Sequence, residues 1–265
     1  MNITKELSAF NRITFVEKNH SYLIDNEPTR APSVTRLIHQ FKKKFDVDSN
    51  AARVAKRENT TPEMIKAQWK MKNVYSTVLG SCLHKYIENF YCNKKTGVDP
   101  DLSQLGHDEK TKLKENLPKL VSYFQNFYRD YNHLLCVRNE VVLGDINDTK
   151  VCGMSDMLAY NDQTDQLEIL DFKTNKKMKA HSPYGTLLYP FDNMTEGEIN
   201  EYTIQLNTYK YFIEQNTNLK ISGLKIIWFN TENDNYKVFE LADIQPKIKE
   251  MFARFKSNSV FSEEH

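Results

Sequence analysis

Two aspartates and a lysine set the first chemical expectation. The strand-like run Val151-Cys-Gly-Met-Ser-Asp156-Met-Leu-Ala-Tyr160 is followed, past a polar turn, by Gln166-Leu-Glu-Ile-Leu-Asp171-Phe-Lys173-Thr174. Asp156, Asp171 and Lys173 then fall at the ends of two adjacent strands. Carboxylates brought together repel unless a cation lies between them, so such a pair either raises one pKa or binds a divalent metal. Lys173 points to the same strand face as Asp171 and suits phosphate chemistry. The reaction these residues point to is metal-dependent cleavage of a phosphodiester.

The D-x-K triplet alone says little, because Asp108-Glu-Lys110 and Asp148-Thr-Lys150 match it as well. Context separates them: Asp171-Phe-Lys173 ends an apolar, β-branched run, whereas the other two lie in polar turn or helix-start sequence. Three further groups extend the site. His84 and Glu88 in Gly80-Ser-Cys-Leu-His84-Lys-Tyr-Ile-Glu88 are one helical turn apart, and the imidazole is a good third ligand beside carboxylates for manganese or magnesium. The plain alternative is a surface ion pair. Gln205 and Tyr209 repeat that spacing and either orient a phosphate or water, or pack. Glu140, in Val137-Arg-Asn-Glu140-Val-Val-Leu143, is either a third carboxylate or a partner behind the ligands.

Several elements must position these groups. Ile13–Glu17 and Ser21–Ile24 alternate as a hairpin closed by Lys18-Asn19-His20. Ser33 is expected to cap a helix carrying Leu37, Ile38 and Phe41. Short helices follow at 51–57 and 62–72, then longer ones at 75–91 and 110–131, the last interrupted or restarted at Pro118. Strands are expected at 135–143, 150–160 and 167–173. A loop-rich insertion over 178–200, with Pro183, Gly185, Pro190 and Gly197, precedes a helix at 201–215. Strands at 224–230 and 236–241 and a helix at 244–255 close the chain. This order predicts an α/β sandwich with a mixed central sheet flanked by helices and an N-terminal helical region.

At 265 residues the chain is expected to form a single domain, a hairpin and basic helical region over 1–75 joined to a core over 76–265. The formal charge is only +1, but residues 36–75 hold ten Lys/Arg against four Asp/Glu, a local +6 that leaves −5 elsewhere. Such a focused basic surface suits one polyanion site rather than general coating of nucleic acid. No apolar run approaches a membrane span, and the N-terminus lacks a signal-peptide core, so a soluble intracellular protein with no membrane partner is expected. Cys82, Cys92, Cys136 and Cys152 form no C-x-x-C pair and read as free, mostly buried thiols.

Taken in order, G-x-x-x-H-x-x-x-E, E-V-x-L, V-x-G-x-x-D, D-x-K-T and Q-x-x-x-Y resemble the PD-(D/E)XK nuclease superfamily, specifically its RecB-type exonuclease branch. The resemblance covers about Pro32 to Glu214, and Pro32-Ser-Val-Thr-Arg36 is similar to the start of phage-encoded and mitochondrial members. It implies a restriction-endonuclease-like fold, Asp156, Asp171 and His84 as ligands of one or two Mg2+ or Mn2+ ions, and Lys173 as the catalytic lysine. Glu140, Gln205 and Tyr209 would complete the catalytic set, with Gln205 near the DNA or the attacking water. Ser33, Thr35, Arg36, Lys42, Lys43, Lys44 and Trp69 would meet the DNA. Many RecB-type relatives hold an iron–sulfur cluster through three clustered cysteines near the C-terminus. No cysteine follows Cys152 here, so no cluster is expected.

The activity implied is a metal-dependent DNA exonuclease that prefers single-stranded or free ends, in recombination, repair or degradation. The alternatives are a catalytically silent nucleic-acid-binding module, a structure-specific endonuclease of the same fold, and a metal-free hydrolase using two carboxylates as acid and base. Phe41, Phe45, Trp69 and Tyr75 lie within the basic window. They are expected to wall a channel to Asp156 and Asp171, tracking a single strand by stacking, or else to lie in the core.

Overall fold

The run Leu167 to Phe172 is buried along its whole length, its two acids included, as a strand is when helices cover both of its faces. In the computed structural model, which describes residues 2–98, 100–182 and 185–262 and side chains through 256, this run is the middle strand of a five-stranded sheet. Its strands are β4 (Leu134–Gly144), β5 (Cys152–Asn161), β6 (Gln166–Lys173), β7 (Ile221–Trp228) and β8 (Lys237–Glu240), in spatial order β4-β5-β6-β7-β8. β4, β5 and β6 form an antiparallel meander, and β7 runs parallel to β6. The parallel pair is joined through α6 (Glu198–Asn216), since parallel neighbours need a crossover.

Period-2 alternation sorts the β6 side chains between two cores. Leu167 and Ile169 enter one that holds α6, α7 (Gln245–Ser262) and the six-residue α2 (Val34–His39). Leu170 and Phe172 enter the other, with α4 (Pro62–Tyr91) and α5 (His107–Asp130). Helices on both faces of a mixed sheet make the expected α/β sandwich.

An N-terminal region carries α1 (Ile3–Leu7), a 3-10 turn at Ser8–Arg12, and a small antiparallel sheet of β1 (Ile13–Val16), β2 (Ser21–Ile24) and β3 (Glu27–Pro28). α3 (Val47–Glu58) packs on α4 through Ala51, Ala55 and Ile65, with Trp69 partly buried against them. Among the described residues no helix is long and apolar enough to cross a membrane.

Three expectations about elements change. The helices expected at 62–72 and 75–91 are one 30-residue helix, capped by Thr61 with Pro62 in its first turn; Asn73 and Val74 carry no backbone reason to break it. α5 runs straight through Pro118. That residue is exposed, so the carbonyl its ring releases can face water instead of a buried partner. Phe41 lies beyond α2, although Ser33 caps that helix as expected and accepts the Arg36 N–H at 3.4 Å. Of the 178–200 insertion, Pro183 lies outside the described residues.

Candidate metal centre

The antiparallel pairing of β5 with β6 ends at Met157↔Leu170. The next pair in that register is Asp156 with Asp171. In place of a ladder bond there, the Phe172 N–H donates to Asp156 Oδ2 at 2.6 Å. The strands part where the two carboxylates stand, and Asp156 closes the opening with its own side chain. Two residues beyond Asp171 on the same face, Lys173 forms an ion pair with Asp171. The Asp171 side chain is 2% exposed.

β4 delivers Glu140. Asn139↔Met157 and Val141↔Ser155 flank it, which sets Glu140 across from Asp156, and a register shift at Cys136/Arg138 precedes it. Its φ of 49° is unusual for a side chain inside a strand. His84, on α4, reaches Asp156 with Nδ1 to Oδ1 at 3.5 Å. One ligand atom each from His84, Glu140 and Asp156 lies within 4.8 Å of the others. Of the three expected metal ligands, His84 and Asp156 therefore meet, Glu140 joins them, and Asp171 stands beside them on Lys173. Glu88 is held by Lys85 at 2.6 Å.

The electrostatics favour a cation. Burial and the charge of Asp156 raise Glu140 to about 7. Burial and the same neighbour raise Asp171 to about 6, against the pull of Lys173. Burial opposes the charge on His84, yet the Asp156 carboxylate raises it to about 9; burial opposes the charge on Asp156 too, yet His84 holds that carboxyl below its usual range. Three acids thus share one imidazolium and one ammonium, and the imidazole nitrogen with two carboxylate oxygens is a mixed donor set of the kind a divalent cation takes, the imidazole suiting manganese better than oxygen-preferring magnesium.

A pH dependence follows. A metal bound by these residues must displace the His84 proton and, below about pH 7, that of Glu140 as well. Mn2+ affinity measured by calorimetry should rise up to about tenfold per pH unit between pH 7 and 9, and more steeply below 7. His84→Ala should flatten the upper part of that curve and weaken binding, with partial rescue of function by excess Mn2+. Affinity independent of pH from 6 to 9 would remove His84 and Glu140 from the ligand set.

α6 covers the site from the other side. Lys173 Nζ sits 4.8 Å from the centre of the Tyr202 ring, a cation–π contact that holds the ammonium over the gap. The signal for Tyr202 in the sequence is its position one turn before Gln205 on the same helix. Gln205 Nε2 donates to Tyr209 Oη at 3.1 Å. Tyr209 is buried and packs on Gly153, where an added Cβ would stand 2.7 Å from its ring. Tyr209 therefore packs and fixes Gln205.

The residues expected to meet DNA are dispersed. Ser33 is committed to its cap and to a bridge with Cys152, whereas Thr35 and Arg36 are exposed. Lys42 pairs with Glu201 at 2.7 Å, and Lys43 and Lys44 are exposed. A cleft of about 1030 Å³ opens over His84, Glu140 and Asp156. Its described lining comes from α4, the β1–β2 hairpin and residues near Pro100, and from none of residues 36–72. None of Phe41, Phe45, Trp69 and Tyr75 lines this cleft, so they do not wall the approach to the acids that it forms. Phe41 packs edge-on against Phe191 at 5.3 Å, and Tyr75 Oη accepts from Asn116. Phe45 is 65% exposed with Trp69 at 6.2 Å, away from the acids. The four cysteines are free, Cys82 and Cys152 buried and Cys92 exposed.

No protein-family model and no curated protein matches the chain.

Proposed function

We propose that the chain is a metal-dependent deoxyribonuclease of the PD-(D/E)XK type, an exonuclease acting on single-stranded or free DNA ends. The observation that carries this reading is the parting of β5 and β6. It sets Asp156, Asp171 and Lys173 side by side, with Glu140 and His84 next to Asp156, a grouping that supports a cation site. A divalent ion held by His84, Glu140 and Asp156 would supply Lewis acidity toward water and positive charge opposite a phosphate.

The chain's own groups do the positioning. Lys173 stays protonated, because Asp171 and Asp156 raise its pKa against the effect of burial, so it serves as a fixed cation that orients the attacking water or a non-bridging phosphate oxygen. Asp171 holds that ammonium in place. Gln205, tethered to Tyr209, lies one turn after Tyr202 on the helix that meets Lys173. A silent binding module would not need a buried acid paired with a buried lysine beside a second acid.

The test is a time course on end-labelled single-stranded DNA. Mg2+ or Mn2+ should support cleavage, whereas Ca2+ should support binding without it. A covalently closed single-stranded circle should resist while its linear form is degraded. Equal cutting of the circle would make the enzyme an endonuclease, and no cleavage with either metal would overturn the reading.

A further inference from the structure

The cleft over the acids has a wall with no role so far. β1 and β2 pair Phe15 with Tyr22 across the strands, their ring centres 5.1 Å apart. His20, at the turn, has φ 47°, and its ring lies 5.8 Å from that of Phe15. Phe15 is half-buried, His20 is exposed, and both line the cleft whose floor carries Glu140 and Asp156. Tyr22 is half-buried behind Phe15 and backs that ring from the neighbouring strand. Two rings, Phe15 and His20, thus face the cleft that holds the acids.

Charge in the same cleft points away from a site that grips a polyanion. Its described lining includes Glu17, Glu88 and Asp101 besides Glu140 and Asp156. Lys85 is its one lysine or arginine, and Glu88 occupies it at 2.6 Å. Phosphates gain little there from counterion release. What the wall offers is flat apolar surface, which an unpaired base fits and a base inside a duplex does not.

Resting on the nuclease reading, we infer that Phe15 and His20 form a stacking platform for the unpaired base of a nucleotide next to the bond cut at the acid cluster. The platform positions that nucleotide and restricts the site to single-stranded or frayed ends.

The test places 2-aminopurine at the terminal base of a single-stranded oligonucleotide, bound in Ca2+. Wild type should quench its fluorescence, Phe15→Ala and His20→Ala should not, and Phe15→Trp should restore quenching. Cleavage in Mn2+ gives the second readout. Phe15→Ala should raise KM about 5- to 150-fold and leave Mn2+ affinity unchanged. On an oligonucleotide with abasic terminal positions, wild type should be impaired by the same factor and Phe15→Ala no further, whereas a merely structural role would impair both substrates alike. His20 is exposed, so its variant reports even if Phe15→Ala does not fold. Absence of quenching in wild type, or equal quenching in wild type and both alanine variants, overturns the platform whether or not DNA is cut. Quenching without cleavage in Mg2+ or Mn2+ would overturn the nuclease reading alone.

Discussion

Asp156→Asn should lower cleavage about 10³-fold or more while leaving the fold intact. Asp156 is where three contacts converge: the Phe172 N–H at 2.6 Å, His84 at 3.5 Å, and the shared space with Glu140. An asparagine oxygen still accepts from Phe172, so the parting of β5 and β6 is kept. The charge is not. Loss of one preorganised electrostatic partner costs on the order of 10² to 10³ in rate, and the weaker hold on a cation adds to it. The melting temperature should shift by only a few degrees, and the His84 pKa, freed of its anionic partner, should fall from about 9 by NMR titration. Comparable turnover in the purified variant would reject the assignment of the site.

Lys173→Ala should damage both chemistry and stability. Its partner Asp171 is 2% exposed, and Asp156 stands beside it, so removing the ammonium strands a buried carboxylate next to another. Breaking a buried pair in this way costs about 3–5 kcal/mol, partly relieved when Asp171 takes up a proton. The sign is fixed by that proton. Asp171 is already raised to about 6 and rises further without Lys173, so the folded variant binds more protons than the unfolded chain. Stability is then lost as pH increases. Urea denaturation should show a larger deficit at pH 8 than at pH 5, and single-turnover cleavage should fall by about 10²-fold or more. A variant equally stable at both pH values and fully active would mean that the lysine neither neutralises Asp171 nor meets the phosphate.

What the sequence made legible follows the range of the interactions involved. Asp171 and Lys173 could be placed on one strand face because alternation is local. The partners His84 and Gln205 emerged from helical spacing for the same reason. Glu140 comes to lie beside His84 and Asp156 through its register against β5, which depends on the shift at Cys136/Arg138 and is written nowhere in residues 137–143 alone. Phe15 and His20 were visible as hairpin residues, but their place over the acids depends on how the hairpin packs against the sheet. The aromatics of the basic window misled because composition does not tell a stacking face from a core face: Phe41 meets Phe191, and Tyr75 meets Asn116. The full length of α4 is not written in its local sequence, because the side-chain pattern changes near Asn73 and Val74 while the backbone there has no glycine or proline to end the helix.

The irregularity that precedes Glu140 also interrupts an open edge of the sheet. β4 is the outermost strand of the large sheet, and among the described residues no strand pairs with its free side. Such an edge, here with Leu135 48% exposed, is a template on which a second chain can add a strand and begin to aggregate. The shift at Cys136/Arg138 interrupts the regular row of donors and acceptors midway, and the exposed Arg138 places a charge beside it. Straightening β4 by deleting one residue there would misdirect Glu140 and, in the same step, restore an adhesive border.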